Sequence, residues 1–211
     1  MNTQAIIFDL DGVICYTDQY HYRAWKRLAD RLGIYFDESI NHRLRGVSRM
    51  ESLEIILEKS NSKYTKEEKE VFAEEKNEIY KALLEQMTSK DLPCEVKTTL
   101  EELRNKGLKL AIGSSSKNTK AILNRIGLED FFDAISDGTN IINSKPDPEV
   151  FIKAAKYINE KPENCLVVED AYAGIEAASR GGFSSAGLGE ACTHPEVTHK
   201  LEAFSDLLRL V

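Results

Sequence analysis

The order of apolar and polar residues predicts a chain built from alternating strands and helices. Near the N-terminus, the apolar run Ala5-Ile6-Ile7-Phe8 indicates a buried strand over residues 4–9. From Pro93 onward, helical stretches alternate with short apolar strands over residues 108–112, 134–135 and 165–168. This alternation is typical of an α/β fold, in which a doubly wound, Rossmann-like parallel sheet carries helices on both faces.

A long, mostly helical stretch separates the first predicted strand from the second. Its first helix has an apolar stripe that ends at Gly33, and a second helix follows Asp37. A charged helix then covers residues 66–87, with an apolar face formed by Phe72, Ile79, Leu83 and Leu84. At roughly ninety residues, the stretch is too long for a single crossover. We therefore predict a catalytic core over residues 1–15 and 90–211 and an inserted helical cap domain over residues 16–89.

Composition limits the class of protein. The chain has 211 residues, of which 42% are hydrophobic, a balance typical of soluble globular proteins. No apolar stretch approaches the roughly 20 residues of a membrane helix, and the net charge of −7 at pH 7 gives no basic surface for nucleic acid. The first strand leaves no room for a signal peptide, so we expect a cytoplasmic protein. The four cysteines are dispersed and are expected to be reduced structural thiols.

Two carboxylates, Asp9 and Asp11, stand at the end of the first predicted strand. Burying an ionisable group beside an apolar strand is costly unless a metal or a reacting group compensates. The Asp-x-Asp pair therefore suggests that Asp9 is a carboxylate nucleophile and that Asp11 is a proton donor and acceptor beside it. The alternative is that Asp11-Gly12 is simply a turn after the strand.

Polar residues also follow the other predicted strands, where doubly wound sheets bind their ligands. The strand over residues 108–112 runs into Ser114-Ser115-Ser116-Lys117-Asn118, whose hydroxyl and N–H groups favour an anion such as phosphate. Lys145 adds a positive charge, and Glu169-Asp170 would form with Asp9 an oxygen site of the kind that Mg²⁺ takes. Each motif alone is consistent with a helix cap, a loop or a surface pair. Together, in order at successive strand ends, they indicate one site.

Electrostatics explain why these groups are needed together. A carboxylate that attacks a dianionic phosphate is repelled, since two unit charges ~4 Å apart cost about 4 kcal/mol at an effective dielectric constant of about 20. Mg²⁺ and Lys145 would supply the offsetting charge. The predicted metal ligands are Asp9, Asp11, Glu169 and Asp170, and the predicted catalytic residues are Asp9, Asp11, Ser114 and Lys145.

These elements resemble the motif set of the haloacid dehalogenase superfamily over essentially the whole chain. Within it, the chain is similar to the β-phosphoglucomutase family. This closer resemblance is carried by Tyr20-His21-Tyr22-Arg23-Ala24-Trp25, by Leu44-Arg45-Gly46-Val47-Ser48-Arg49 with Ser52-Leu53, and by residues 114–118. The resemblance implies a Mg²⁺-dependent interconversion of β-glucose 1-phosphate and β-glucose 6-phosphate. It also implies an aspartyl-phosphate enzyme and glucose 1,6-bisphosphate as intermediate and activator.

The same resemblance implies a set of substrate-binding residues. The set is His21, Trp25, Gly46, Val47, Arg49, Lys76, Ser115, Ser116, Lys117 and Asn118. Arg49 of the cap and residues 116–118 would grip the phosphate that is not transferred, a site that a mutase needs and a simple phosphatase does not. His21 and Lys76 would steer Asp11 and the sugar, whereas Gly46 and Val47 would line the hexose.

Some of these residues have simpler interpretations. Trp25 lies on the apolar stripe of the first helix, so packing accounts for it equally well. His21 is one turn before Trp25 on nearly the same face and is consistent with an ordinary partly buried histidine. We expect hinges between cap and core near residues 14–18 and 87–93. The sequence departs from the family at both, because Tyr16 stands where the family often has an acidic residue and Pro93-Cys94 replaces a usual Pro-Gly. Neither departure touches the predicted chemistry, but both bear on how the cap closes.

Two other functions fit the same residues. A phosphatase of the superfamily would transfer the phosphoryl group from Asp9 to water. A non-catalytic phosphate-binding regulatory module would keep the fold without the chemistry, but this chain retains both Asp9 and Asp11. We expect a monomer that binds small-molecule sugar phosphates and has no nucleic-acid or membrane partner.

Overall fold

The computed structural model describes residues 3–211, and its centre is a six-stranded sheet in which neighbouring strands are all parallel. The strands are β1 (Ala5–Phe8), β2 (Lys109–Gly113), β3 (Ala134–Ser136), β4 (Cys165–Glu169), β5 (Ser184–Gly187) and β6 (His199–Lys200), in the order β3-β2-β1-β4-β5-β6. The predicted α/β class and doubly wound sheet are confirmed. The sequence pattern missed β5 and β6, because they lack the run of large apolar side chains that marks a buried strand.

β1 lies inside the sheet and determines where the strand ends meet. Phe8 is opposite Ile112 of β2 and Val168 of β4. Because the three strands run in the same direction, Asp9 and Glu169 lie side by side at one edge of the sheet. The strand order reverses between β1 and β4, and such a switch point is where doubly wound sheets bind ligands.

The stretch between β1 and β2 is helical, as predicted. It contains α1 (Asp18–Leu32), α2 (Glu38–His42), α3 (Arg49–Leu57), α4 (Lys66–Leu84), a 3₁₀ turn (Ser89–Asp91) and α5 (Cys94–Asn105). α1 ends at Gly33, whose φ of 68° reverses the chain. Asp37, Ser48 and Thr65 cap α2, α3 and α4 by accepting hydrogen bonds from N–H groups of the first turn.

The helices α1–α4, called the α1–α4 segment below, have an apolar cluster of their own. It includes Trp25 and Leu28 of α1 and Leu53 of α3. The two ends of the segment pack elsewhere, since Tyr20 and Leu84 join the apolar cluster on the sheet. The segment is therefore anchored to the sheet at both ends and packs on itself between them.

The buried face of α4 differs in part from the predicted face. The two leucines at its C-terminal end are buried as expected, whereas Phe72 and Ile79 are only partly buried. Two polar residues, Lys76 and Asn77, are buried instead. Hydrophobic periodicity could not identify this face because polar side chains occupy part of it.

Helices cover both faces of the sheet. Ile6 and Phe8 of β1 pack with α5 and with α6 (Thr119–Arg125). Ala5 and Ile7 pack with α7 (Glu149–Tyr157) and α8 (Tyr172–Arg180) on the opposite face, as the period of two along a strand requires. Short 3₁₀ turns occupy Pro162–Asn164, Gly189–Thr193 and Phe204–Arg209. Within residues 3–211, no helix combines the length and the apolar character that crossing a bilayer requires.

Candidate active site

A cavity of about 950 Å³ lies between the α1–α4 segment and the carboxyl ends of the strands. Every site residue predicted from the sequence lines it. These residues are Asp9, Asp11, His21, Trp25, Gly46, Val47, Arg49, Lys76, Ser114, Ser115, Ser116, Lys117, Asn118, Lys145, Glu169 and Asp170. The fold thus brings segments that are far apart in the sequence into one site, and the roles of the residues remain predictions.

Three carboxylates meet at the strand ends. One oxygen from each of Asp9, Glu169 and Asp170 lies within 4.8 Å of the others. Glu169 is held in place because its Oε2 accepts hydrogen bonds of 3.0 Å from the backbone N–H groups of Asp170 and Ala171. Carboxylate oxygens grouped in this way suit a hard cation such as Mg²⁺. Asp11, also predicted as a ligand, is not part of this group, and its Oδ1 accepts a hydrogen bond from the Thr17 hydroxyl.

Lys145 lies among these carboxylates. Its ammonium group donates hydrogen bonds to Asp9 Oδ1 and, over 2.5 Å, to Glu169 Oε1, and its side chain is 1% exposed. Burial alone would lower the pKa of Lys145, but the charges of Asp9 and Glu169 outweigh burial and raise that pKa above its ordinary value. Lys145 is therefore a permanent positive charge at the strand ends.

Burial has the opposite effect on the carboxyl groups. It raises the pKa of Asp9 well above its ordinary value, and Lys145 offsets this only in part. Burial, together with the charge of Glu169, raises the pKa of Asp170 to about 7. When all three carboxyl groups are ionised, they carry more negative charge than Lys145 neutralises. The raised pKa values reflect the cost of that ionised state, and a divalent cation would lower this cost.

Gly12 shows how a turn and a site occupy the same place. Its φ of 87° lies in the left-handed region that favours glycine, and a Cβ atom there would lie 2.1 Å from Asp170 Oδ2. The Asp11-Gly12 turn, the alternative interpretation of the sequence, is therefore present. The same turn leaves room for a carboxylate of the site.

Asp11 faces the α1–α4 segment. The Thr17 hydroxyl donates a hydrogen bond to Asp11 Oδ1, and His21 Nε2 lies 3.9 Å from Asp11 Oδ2. Burial raises the pKa of Asp11 to about 6, against the opposing effect of the Thr17 hydrogen bond. A carboxyl group with this pKa can both hold and release a proton near neutral pH, as a general acid and base must.

Lys76 is a buried lysine surrounded by rings. Its Nζ lies 2.9 Å from His21 Nδ1, and it lies 4.8 and 4.4 Å from the ring centroids of Trp25 and Tyr80. Burial and the charge of Arg49 lower the pKa of Lys76 to about 7. Burial and Lys76 likewise lower the pKa of His21 well below its ordinary value. A neutral His21 that accepts a hydrogen bond at Nδ1 carries its proton on Nε2, the nitrogen that faces Asp11.

The loop after β2 forms the opposite part of the cavity wall. The hydroxyls of Ser114 and Ser116 accept hydrogen bonds of 3.2 Å from the backbone N–H groups of Ser116 and Asn118, respectively. Arg49 reaches this loop through Asn77, whose Oδ1 accepts from Arg49 Nη2 at 2.8 Å and from Asn118 Nδ2 at 3.0 Å. Two of the residues predicted to grip a second phosphate, Arg49 and Asn118, thus come from opposite sides of the cavity and meet at the Asn77 side chain.

Residues 3–182 match the family model of the haloacid dehalogenase-like hydrolases. The chain belongs to this family. The match spans the segments that supply Asp9, Lys145 and Glu169 to the acidic site.

Individual relatives narrow the comparison within the haloacid dehalogenase-like family. A β-phosphoglucomutase of Bacillus subtilis is 42% identical over 189 residues, which cover 89% of this chain and 84% of the relative. A phosphorylated carbohydrates phosphatase of Thermotoga maritima is 34% identical over 183 residues, or 85% of this chain and 82% of the relative. The crystal structure of a β-phosphoglucomutase from Clostridium difficile has a TM-score of 0.91 at 41% identity and covers 97% of this chain and 93% of that chain. The resemblance to β-phosphoglucomutases is therefore confirmed.

This haloacid dehalogenase-like site also contains residues that were not predicted from the sequence. Thr17 binds Asp11, Asn77 contacts both sides of the cavity, and Tyr80 covers Lys76. A signal for two of them exists in the sequence, because positions 76, 77 and 80 share a helical face with the buried leucines at the end of α4. Polar residues on such a face are the pattern that would have identified them.

Proposed function

We propose that the protein is a β-phosphoglucomutase, which interconverts β-glucose 1-phosphate and β-glucose 6-phosphate. One observation carries the proposal. A single cavity is lined at one place by the carboxylates of Asp9, Glu169 and Asp170 and at another by Arg49 and residues 116–118. A sugar bisphosphate needs one site that transfers a phosphoryl group and another that holds the second phosphate. The 42% identity with the β-phosphoglucomutase of B. subtilis supports the same function.

We further propose that residues 16–89 act as a cap domain inserted into a core of residues 1–15 and 90–211. The separate apolar cluster around Trp25 and Leu53 supports this division. Closure of the cap would exclude water from the cavity, so that a sugar hydroxyl rather than water accepts the phosphoryl group.

Asp9, Glu169 and Asp170 are the residues that would hold Mg²⁺. Their fit rests on the grouping of three carboxylate oxygens within 4.8 Å and on the negative charge that Lys145 leaves unbalanced. When bound, Mg²⁺ supplies positive charge that reduces the repulsion between the carboxylates and a phosphoryl group. Asp11 as a further ligand remains a prediction from the sequence.

Asp9 carries the phosphoryl group between the two half-reactions. In the first, the phosphorylated Asp9 passes its phosphoryl group to the C6 hydroxyl of β-glucose 1-phosphate, and the bond from phosphorus to Asp9 breaks as the bond to the sugar oxygen forms. Asp11 takes the hydroxyl proton, and its pKa of about 6 suits this task. Lys145 and Ser114 stabilise the charge that develops on the phosphoryl oxygens.

The glucose 1,6-bisphosphate formed in this way turns so that its other phosphate faces Asp9. Transfer of that phosphate to Asp9 releases glucose 6-phosphate, and Asp11 returns the proton to the departing sugar oxygen. In each half-reaction, Arg49 and residues 116–118 hold the phosphate that does not react. The residues proposed to surround the sugar are His21, Trp25, Gly46, Val47, Lys76 and Ser115.

A phosphatase acting on small sugar phosphates is the second candidate. The observation that favours it is the 34% identity with the phosphorylated carbohydrates phosphatase of T. maritima. In such an enzyme, water would accept the phosphoryl group from Asp9, and a second phosphate site would be unnecessary. The fate of the phosphoryl group therefore distinguishes the two candidates.

The test follows two products from one substrate. The protein is incubated with β-glucose 1-phosphate, Mg²⁺ and a trace of glucose 1,6-bisphosphate, and both glucose 6-phosphate and inorganic phosphate are measured. We expect glucose 6-phosphate to form with little release of inorganic phosphate. α-Glucose 1-phosphate should not be converted, and β-glucose 1-phosphate should not be converted when Mg²⁺ is left out. Phosphate released at the rate of substrate loss would contradict the mutase and favour the phosphatase. The cytoplasmic location and the monomeric state remain predictions.

A further inference from the structure

Asn77 is a buried residue of α4 that contacts both sides of the cavity from behind its wall. Its side chain is 5% exposed, and among the described residues Arg49 and Asn118 belong to the cavity wall whereas Asn77 does not. The Oδ1 atom of Asn77 accepts hydrogen bonds from Arg49 Nη2 at 2.8 Å and from Asn118 Nδ2 at 3.0 Å. A single carbonyl oxygen thus binds one residue of the α1–α4 segment and one residue of the loop after β2.

The orientation of the Asn77 amide follows from its partners. The Arg49 guanidinium and the Asn118 NH₂ group are donors, so the Asn77 oxygen rather than its nitrogen must face them. The Asn77 Nδ2 group donates to Glu74 Oε1 at 3.2 Å, and Glu74 Oε2 accepts from Arg49 Nη1 at 3.4 Å. Glu74 therefore fixes the direction of the amide.

We propose that Asn77 is a positioning residue, which aligns Arg49 and Asn118 to grip the phosphate that is not transferred. The proposal rests on the proposed function, because it assigns the same phosphate to the same two donors. Arg49 has five N–H groups and the Asn118 amide has two, so each keeps donors for a phosphate after binding Asn77. The neutral Asn77 carbonyl orients Arg49 and adds no negative charge beyond that of Glu74.

This role also links alignment to closure. Asn77 lies in the proposed cap, and Asn118 lies in the proposed core, so their hydrogen bond requires the cap to be against the core. Arg49 therefore becomes aligned with Asn118 at the same time as the cavity closes. A substrate without a second phosphate gains nothing from this alignment.

The experiment compares two phosphoryl donors in the full-length protein. Asn77→Leu keeps the approximate volume and removes the acceptor, and Asn77→Ala serves if leucine disturbs folding. We expect kcat/KM for glucose 1,6-bisphosphate to fall about 10- to 100-fold, mainly through a higher KM. The reason is that the two hydrogen bonds that orient Arg49 and Asn118 are lost. Hydrolysis of methyl phosphate should change less than about threefold. The control is Asn124→Ala, which removes an exposed amide of α6 that donates to Glu129. It should leave the rates with both phosphoryl donors unchanged.

A double-mutant cycle tests whether Asn77 acts through Asn118. If it does, adding Asn77→Leu to Asn118→Ala should cost less than the product of the two single losses. Equal losses on both phosphoryl donors, or independent multiplicative losses in the cycle, would overturn the proposal. Sugar monophosphate formed from the bisphosphate is measured throughout, so the comparison holds whether sugar or water accepts the phosphoryl group. Failure of the mutase assignment would appear in the unmodified protein as phosphate release.

Discussion

The two walls of the cavity hold their functional side chains in different ways. On the sheet wall, Asp9 and Glu169 stand at the ends of buried parallel strands, and the strand register itself brings them together. On the wall formed by the α1–α4 segment, Lys76 and Arg49 are held by other side chains, namely His21 and Asn77. The first arrangement depends on the backbone, whereas the second depends on contacts between side chains.

This difference indicates that the two walls have different roles in the reaction. Groups set by the strand register stay in place whatever the ligand, which suits residues that make and break bonds to phosphorus. Groups set by side-chain contacts depend on the packing of α1–α4 and suit the choice of substrate and acceptor. Changes on the sheet wall should therefore remove all phosphoryl transfer, and changes on the helical wall should remove only part of it.

The largest effect is expected for Asp9→Asn on the sheet wall. The asparagine amide cannot form the aspartyl phosphate, so both mutase turnover and methyl phosphate hydrolysis should fall at least about 10⁴-fold. Both rates are measured on protein whose folding is checked by thermal unfolding. Substantial retention of either reaction would break the comparison, because a different nucleophile would then be at work.

Lys145→Met should have the next largest effect. It removes the positive charge that binds Asp9 and Glu169, and we expect both reactions to slow by about 10²- to 10³-fold. Steady-state kinetics on the two substrates measure the effect, with Lys81→Met, an exposed lysine paired with Glu78, as the control. A loss confined to the mutase reaction would show that Lys145 acts in the choice of substrate, like the residues of the helical wall, and not in phosphoryl transfer itself.

Arg49→Ala probes the helical wall. Because Arg49 is proposed to hold only the phosphate that does not react, kcat/KM for the mutase reaction should fall about 10- to 100-fold. Methyl phosphate hydrolysis should stay within about threefold of the unmodified protein. The matched control is Arg43→Ala, which removes an exposed arginine of the same segment that pairs with Glu58. Equal losses in both reactions would count against a separate phosphate site.

The last prediction concerns stability, and Lys76→Met on the helical wall tests it. Burial lowers the folded-state pKa of Lys76 from 10.5 to about 7, so between these values the unfolded state binds more protons and stability rises with pH. Relative to Lys76→Met, the free energy of unfolding of the unmodified protein should rise by up to about 1.4 kcal/mol per pH unit above neutrality. Urea unfolding of both proteins from about pH 7 to pH 10 measures this difference. A difference that does not change with pH would show that Lys76 is not buried as described.

The same difference explains how much could be predicted from the sequence. Asp9, Ser114 and Glu169 were predictable because each follows or ends an apolar strand, and parallel strands bring such positions to one edge. Thr17 was not predictable in this way, because its role depends on a contact between a loop and the end of β1. For Asn77 the helical face of α4 could have indicated burial, but its partners Arg49 and Asn118 depend on tertiary contacts. The short strands β5 and β6 were not predicted for a related reason. They are strands because they pair with neighbouring strands of the sheet, and their own composition does not indicate it.

The central claim is that Asp9 becomes covalently phosphorylated during turnover. It is tested most directly by mass spectrometry of protein that is acid-quenched while it turns over glucose 1,6-bisphosphate with Mg²⁺. We predict the mass of one phosphoryl group on the peptide that contains Asp9, its removal by hydroxylamine and its absence from Asp9→Asn. An unmodified Asp9 during active turnover, or a phosphoryl group on another residue, would contradict the account.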